Sequence, residues 1–379
     1  MLSNEKSSQN EVKNKMRPMV NQFVDQSYIN KIDILIPILI EKYKIPGVAV
    51  SIIHNNSVEL IKGYGFKDKK EKSAVETDTL FQVASISKTL TAWGVMKLVE
   101  ANLIDLDKPI SEYLTLKKSI LPKDDIKKIT IRSLLSHTSG LAQVKYFGII
   151  SKKRFYRFQK DFIHSYKNMK LLVSPQTKFI YTGTGYTLLQ LIIEKVINND
   201  FSYYMKHEIL DPLGMHNSDY KQDLEGISKS YGIWGRALVR RYYPQLAAAG
   251  LYSSIDDLTK FIQANLETEV IKHCQKKVLK SESLELMHTR IDRTIPYGLG
   301  YYIRTLPDGI KILAHSGKNI GWNSHIAFLP ALKMAIAIIT NSNNGENLIQ
   351  ELMYIWLTAL VNEIPDFYYD AVNLKQNNI

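Results

Sequence analysis

Phe81-Gln-Val-Ala-Ser-Ile-Ser-Lys-Thr-Leu-Thr-Ala92 sets a hydroxyl, Ser85, three residues before an amine, Lys88. Leu90, Trp93, Met96, Leu98 and Val99 then recur as on a buried helix. On a helix over about 85–101, residues three apart share a face, so Lys88 reaches back toward Ser85. Ser85 would lie in the first turn, where free N–H groups and the helix dipole favour developing negative charge. A serine hydroxyl becomes a nucleophile only when a neighbour takes its proton, and a lysine amine can do so. Ser-x-x-Lys alone is a weak signal: it also occurs at Ser3/Lys6, in a polar tail, and at Ser218/Lys221, after a helix end. Ser85 differs in having a strand-like segment before it and an apolar helix after it.

Working outward, strand patterns gather at the two ends of the chain. A helix is expected over about 27–43, and Gly47–His54 and Val58–Gly65 form a hairpin about Asn55-Asn56. Tyr297–Arg304, Ile310–His315, Asn323–Leu329 and Met334–Asn341 read as strands, and Glu346–Val361 as a closing amphipathic helix. Between them lie helical patterns near 110–114, 129–135, 187–196, 201–210 and 258–266, with a basic, aromatic excursion at 145–170. The expectation is an α+β fold: an antiparallel sheet built from both chain ends (about 27–84 and 290–362), flanked by helices, with a helical part over about 85–289 inserted. Residues 1–26 and 363–379 read as tails.

The 379 residues carry 49 Lys and Arg against 37 Asp and Glu, a net charge of +12. The cations are scattered and match no nucleic-acid-binding motif, so specific nucleic-acid binding is not expected. Hydrophobic content of 45% is that of a soluble globular chain. No apolar run suffices to span a bilayer, and no apolar core of a secretory signal is visible in the first 26 residues. The expectation is a cytoplasmic protein, one exported by another route, or one whose leader is missing from this sequence. Cys274 is the single cysteine, which excludes an intramolecular disulfide. No cluster has metal-ligand spacing, and His207-Glu208 lacks the histidine a zinc-protease helix needs. Neither a metal nor an organic cofactor is called for.

Further motifs join Ser85 and Lys88. Leu134-Leu-Ser-His-Thr-Ser-Gly-Leu141 runs from a helix into a turn, where His137 reads as a helix-end histidine bonding backbone rather than as a base. Phe179-Ile-Tyr-Thr-Gly-Thr-Gly-Tyr186 leads a phenol, Tyr181, into an apolar helix. Pro212-Leu-Gly-Met215, Ala248-Ala-Gly-Leu251 with Asp256-Asp-Leu258, and His315-Ser-Gly317 follow in order. Together these motifs resemble the serine β-lactamase and penicillin-binding-protein superfamily. The branch is that of class C β-lactamases, D-alanyl-D-alanine carboxypeptidases and related SxxK esterases, and the likeness covers about residues 27–362.

The resemblance implies an acyl-enzyme on Ser85, with Lys88 and Tyr181 sharing proton abstraction and return. It implies an oxyanion hole from the backbone N–H groups of Ser85 and Lys318. It implies a catalytic role for His315 and substrate binding by Ser316 and Gly317, which would stand where the family more often has Lys-Thr-Gly, a histidine version resembling the peptidase and esterase side. One departure matters. The second motif is usually Tyr-x-Asn, and Gly183 takes the asparagine's place at the substrate site. Tyr28-Ile-Asn30 and Tyr166-Lys-Asn168 match that pattern but precede no such helix. The missing amide favours an ester or an unusual small or peptidic amide as substrate. A true β-lactamase or D-alanyl-D-alanine carboxypeptidase is the alternative, and a non-catalytic binding or assembly protein is the reading from another class. Oligomeric state is open.

Overall fold

The computed structural model describes residues 26–114, 121–144, 148–155, 169–266, 277–306 and 309–358. The expected tails (except Gln26), Cys274, Tyr166 and Asn168, and most of the 145–170 excursion lie outside the described residues. The elements used below are, in chain order, α1 (Gln26–Tyr43), β1 (Gly47–His54), β2 (Ser57–Asp68), β3 (Ser73–Ala74), β4 (Phe81–Gln82) and α2 (Ser87–Glu100). They continue with α3 (Ile131–Leu135), α4 (Gly183–Ile197), α5 (Leu246–Ala249), β5 (Tyr252–Ser253), α6 (Ile255–Asn265) and α7 (Ser281–Met287). The last are β6 (Tyr302–Thr305), β7 (Lys311–Asn319), β8 (Trp322–Leu329), β9 (Met334–Thr340) and α8 (Gly345–Thr358).

Seven strands form one antiparallel sheet in the order β3-β2-β1-β9-β8-β7-β6, so the early hairpin and the late strands meet at its centre. There β1 pairs with β9, Val48 opposite Thr340 and Ile53 opposite Ala335. Both central strands are largely apolar, with Ser51, His54 and Thr340 as the polar exceptions, and are buried at every residue, the pattern of a strand covered on both faces. One face (Val48, Val50, Ile336, Ile338) packs with α1 and α8. The other (Ala49, Ile53, Ala337, Ile339) packs against the helices contributed by the middle of the chain. The fold is α+β, as expected, with the sheet between two helical layers.

The differences from expectation are local. The α-helix after the anchor stretch begins at Ser87, and Ser85 lies in a separate 3₁₀ turn, Ala84–Ile86. Residues 297–300 form no strand: Gly298 N donates to Tyr301 O at 2.9 Å and Gly300 takes φ +96°, so the chain folds into a turn and β6 begins only at Tyr302. Residues 206–210 widen into a π-turn, and α7 is a helix that the sequence pattern had not announced.

Candidate active site

The Ser85 turn is held from three sides. Val83 N donates to Leu251 O at 3.1 Å and Ile86 N to Val83 O at 3.1 Å. Ala84 adopts φ +46°, a left-handed conformation that costs a non-glycine residue on the order of 1 kcal/mol. Buried Ser87 fixes that kink, its hydroxyl donating to Ala84 O at 2.5 Å and accepting from Leu251 N at 3.0 Å. Strand β7 closes the third side. A Cβ on Gly317 would collide with Val83 O and Ser324 Oγ and come within 3.1 Å of Ser85 N. The glycine therefore lets the strand lie against the backbone of the serine turn.

Lys88 points back along α2 as its spacing requires. Its Nζ donates to Ser85 Oγ at 3.0 Å and to Ala248 O at 2.7 Å, and the residue is 2% exposed. The rings of Tyr181 and Tyr186 flank the amine, with centroids at 5.1 and 5.7 Å. Thr91 Oγ1 donates to Ala247 O at 2.9 Å, tying α2 to the short α5 that presents Ala248.

Tyr181 sits on the extended segment before α4. Burial pushes its phenol well above the ordinary tyrosine pKa, and a hydrogen bond with Ser85 pulls slightly the other way, so the group stays a neutral phenol. Beneath it lies His137, fully buried at φ +58°, its ring centroid 4.3 Å from that of Tyr181. His137 Nδ1 accepts from Thr182 N at 3.2 Å. Burial, then the charges of Lys88 and His315, hold the imidazole well below its usual pKa and keep it neutral. The ring is a floor under Tyr181 that bonds backbone.

Gly183 opens α4, and the place beside it is taken. Gln143 Oε1 accepts from Gly183 N at 2.5 Å and from Thr182 Oγ1 at 3.1 Å, while its Nε2 donates to Val144 O at 2.7 Å. A Cβ on Gly183 would stand 3.4 Å from Gln143 Nε2. The Gln143 carboxamide thus occupies the region into which a side chain at 183 would project. The sequence reading did not include it: Gln143 lies two residues beyond the Leu134–Leu141 stretch, in a segment without periodicity.

Strand β7 sorts its residues by face. His315 points toward the helical layer but behind Tyr181, at 6.1 Å between ring centroids. It is 1% exposed, with Nε2 bonded to Tyr297 OH at 3.0 Å. Ser316 and Lys318 project the opposite way, as alternation dictates. Ser316 Oγ meets His325 Nδ1 at 2.9 Å, and Lys318 Nζ pairs with Glu346 on α8 at 2.5 Å. A substrate-binding role for the Ser316 side chain is therefore corrected, because the hydroxyl lies on the far side of the sheet from Ser85. Gly317 is likewise spent on packing against the serine turn. A cleft of about 180 Å³ opens above this arrangement; Ser85, Lys88, Tyr181, Gly183, Gln143 and Lys318 line it, with His315 outside the lining. Among the described residues no group of three or more His, Cys, Asp or Glu could hold a metal ion.

Comparison with known sequences places this geometry. The profile of the Beta-lactamase family matches residues 17–360, nearly the whole chain. The chain belongs to the beta-lactamase family. Within this family of β-lactamase- and penicillin-binding-protein-like serine hydrolases, it is similar to Penicillin-binding protein 4* of Bacillus subtilis. The identity is 25% over 304 residues, covering 74% of this chain and 64% of that protein. The chain thus spans less than two thirds of that relative's length. Among solved structures, the octameric penicillin-binding protein homologue from Pyrococcus abyssi superposes with TM-score 0.72 at 25% identity, over 92% of this chain and 82% of that one. The D-alanine carboxypeptidase AmpC from Burkholderia cenocepacia shares the fold with TM-score 0.70 at 20% identity, over 84% and 94%.

Proposed function

We propose that this protein is a serine hydrolase that forms an acyl-enzyme on Ser85 and acts on an ester or amide of a small or peptidic substrate. The observation that carries the reading is the buried Lys88 amine, 3.0 Å from Ser85 Oγ and anchored from behind by Ala248 O. A nucleophile within hydrogen-bond reach of a base that is itself oriented by a third group is the arrangement covalent catalysis requires.

In this mechanism Ser85 Oγ attacks the acyl carbon as its proton passes to Lys88 in its amine form. The carbonyl oxygen becomes an oxyanion facing the N–H groups of Ser85 and Lys318, where one donor is typically worth roughly 3–4 kcal/mol of transition-state stabilisation. Tyr181, a neutral phenol bonded to the same hydroxyl, relays a proton to the departing alcohol or amine. Water then attacks the acyl-enzyme, the same groups act in reverse, and the acid leaves. His315 and His137 act as positioning residues, His315 behind the phenol and His137 beneath it.

A second reading, hydrolysis of β-lactams or D-alanyl peptides, is favoured by Gln143. Its carboxamide lines the cleft beside Gly183, so an amide group is available although position 183 lacks one. Turnover of p-nitrophenyl esters, a chromogenic cephalosporin and a D-alanyl peptide, with wild type and Ser85→Ala in parallel, tests both readings. Turnover of at least one class that disappears in Ser85→Ala is expected. Equal turnover by the two proteins would overturn the assignment, and the class that is turned over separates the readings.

A further inference from the structure

The chain has four tryptophans, and three are buried: Trp93, Trp322 and Trp356 are 1, 5 and 0% exposed. Trp234 is 79% exposed. It stands at the tip of a tight hairpin in which Tyr231 bridges Ala237, Gly232 N donates to Arg236 O at 2.9 Å, and Gly235 takes φ +67°. Ile233 before it and Val239 after it are 55 and 69% exposed.

The hairpin is firmly seated. Tyr231 N donates to Asn341 O at 2.9 Å, Asn343 N to Tyr231 O at 3.0 Å, and Asn344 Nδ2 to Ile233 O at 3.0 Å. The phenol of Tyr231 also accepts from Lys69 N at 2.7 Å. A large aromatic side chain is thus presented to solvent by an anchored scaffold, and no packing among the described residues accounts for it. Its surroundings are cationic. From Lys229 to Arg241 the sequence holds four Lys or Arg and no carboxylate. Lys229 and Arg236 are exposed, and Lys69 Nζ lies 3.7 Å from where a Cβ on Gly235 would stand. Arg240 is not available, because its guanidinium is bonded to Leu224 O and Gln222 O. Of the nearby acids, Asp68 accepts from Lys70 N and Glu71 pairs with Lys70.

We infer that the Trp234 hairpin is a docking element for an anionic lipid bilayer. A protruding tip of Trp and Ile suits the headgroup level of a membrane, where an aromatic ring finds both apolar and polar surroundings. The cations around it match the phosphates of anionic lipids, each worth about a fivefold gain in partitioning when near the surface. The attachment is peripheral, since no described helix is long and apolar enough to cross a membrane. It also orients the cleft. A Cβ on Gly321 would press on Ser230 and Leu238 of the hairpin, and the β7–β8 turn that holds Gly321 follows Lys318 and Asn319 on the cleft's rim. Docking by the tip therefore brings that rim toward the bilayer. The inference is independent of the chemistry assigned to Ser85.

Trp234 supplies its own reporter. The full chain is titrated with phosphatidylglycerol–phosphatidylcholine vesicles and with phosphatidylcholine alone, following tryptophan emission and co-sedimentation. A blue shift and pelleting with the anionic vesicles only, reversed by high salt, are expected. Brominated lipid should quench the shifted emission. Trp234→Ala should lose the shift and most of the pelleting with an unchanged thermal melt, and Arg236→Ala should weaken binding about fivefold. Absence of wild-type binding to anionic vesicles overturns the proposal. So does pelleting that Trp234→Ala retains in full, which would mean diffuse charge attraction. A blue shift that appears without lipid as protein concentration rises would mean that a second copy of the chain covers the tip.

Discussion

Ser87→Ala should destabilise the protein and disable Ser85 without touching any catalytic group. The Ser87 hydroxyl lies in the core at 0% exposure, donating to Ala84 O at 2.5 Å and accepting from Leu251 N at 3.0 Å. A net hydrogen bond contributes about 1 kcal/mol, and a buried N–H left without an acceptor costs about 1–3 kcal/mol. The substitution therefore costs roughly 2–4 kcal/mol in total. At an unfolding entropy of about 2 cal/mol/K per residue, that corresponds to a fall in Tm of roughly 3–5 °C for a chain of this size. The kink at Ala84, φ +46°, also loses the contact that holds it, so Ser85 shifts relative to Lys88. A displacement of about 1 Å at a reacting group costs on the order of a hundredfold in rate. Differential scanning calorimetry gives the first quantity, and the rate of labelling by a fluorophosphonate, measured well below the lowered Tm, gives the second. An unchanged Tm, or a lowered Tm with wild-type labelling, would refute the claim that Ser87 sets the serine turn.

Lys88→Ala should reduce kcat/KM by roughly a hundred- to ten-thousandfold, the usual value of a positioned proton carrier, and Tyr181→Phe by less or in only one of acylation and deacylation; pre-steady-state kinetics on an ester separates the two steps. Stability should also fall in mild acid through His288, which is buried against Asn265 and held at a pKa of about 3, mainly by desolvation. Its folded pKa lies below the unfolded value of about 6.5, so its contribution is full above that pH and declines as pH falls toward 3. Between pH 7 and 5 the loss is about 2 kcal/mol. Guanidinium unfolding at the two pH values should show a smaller loss for His288→Gln than for wild type, and equal losses would contradict the assignment.

The Ser85–Lys88 pair and the two-ended sheet were legible because each rests on a local pattern. Helical spacing aims Lys88 at Ser85, and β-branched, largely apolar segments at 47–54 and 334–340 announce strands. What was not legible depends on contacts between distant segments. The kink at Ala84 exists because Ser87 and Leu251 meet, and it moves Ser85 out of the α-helix into a 3₁₀ turn. Gln143 gains its place beside Gly183 only when residues 40 apart are brought together. The position of β7 could be read, but which of His315, Ser316 and Gly317 faces the serine could not. That assignment needs the register to β8, which sends the Ser316 hydroxyl to His325 and presses Gly317 onto Val83.

Intact-protein mass after exposure to a fluorophosphonate, followed by peptide mapping, tests the central claim that Lys88 makes Ser85 a nucleophile. A single adduct on Ser85, absent in Ser85→Ala and strongly slowed in Lys88→Ala, is the predicted result. An adduct on another residue, or none in a protein whose melt shows it folded, would contradict it.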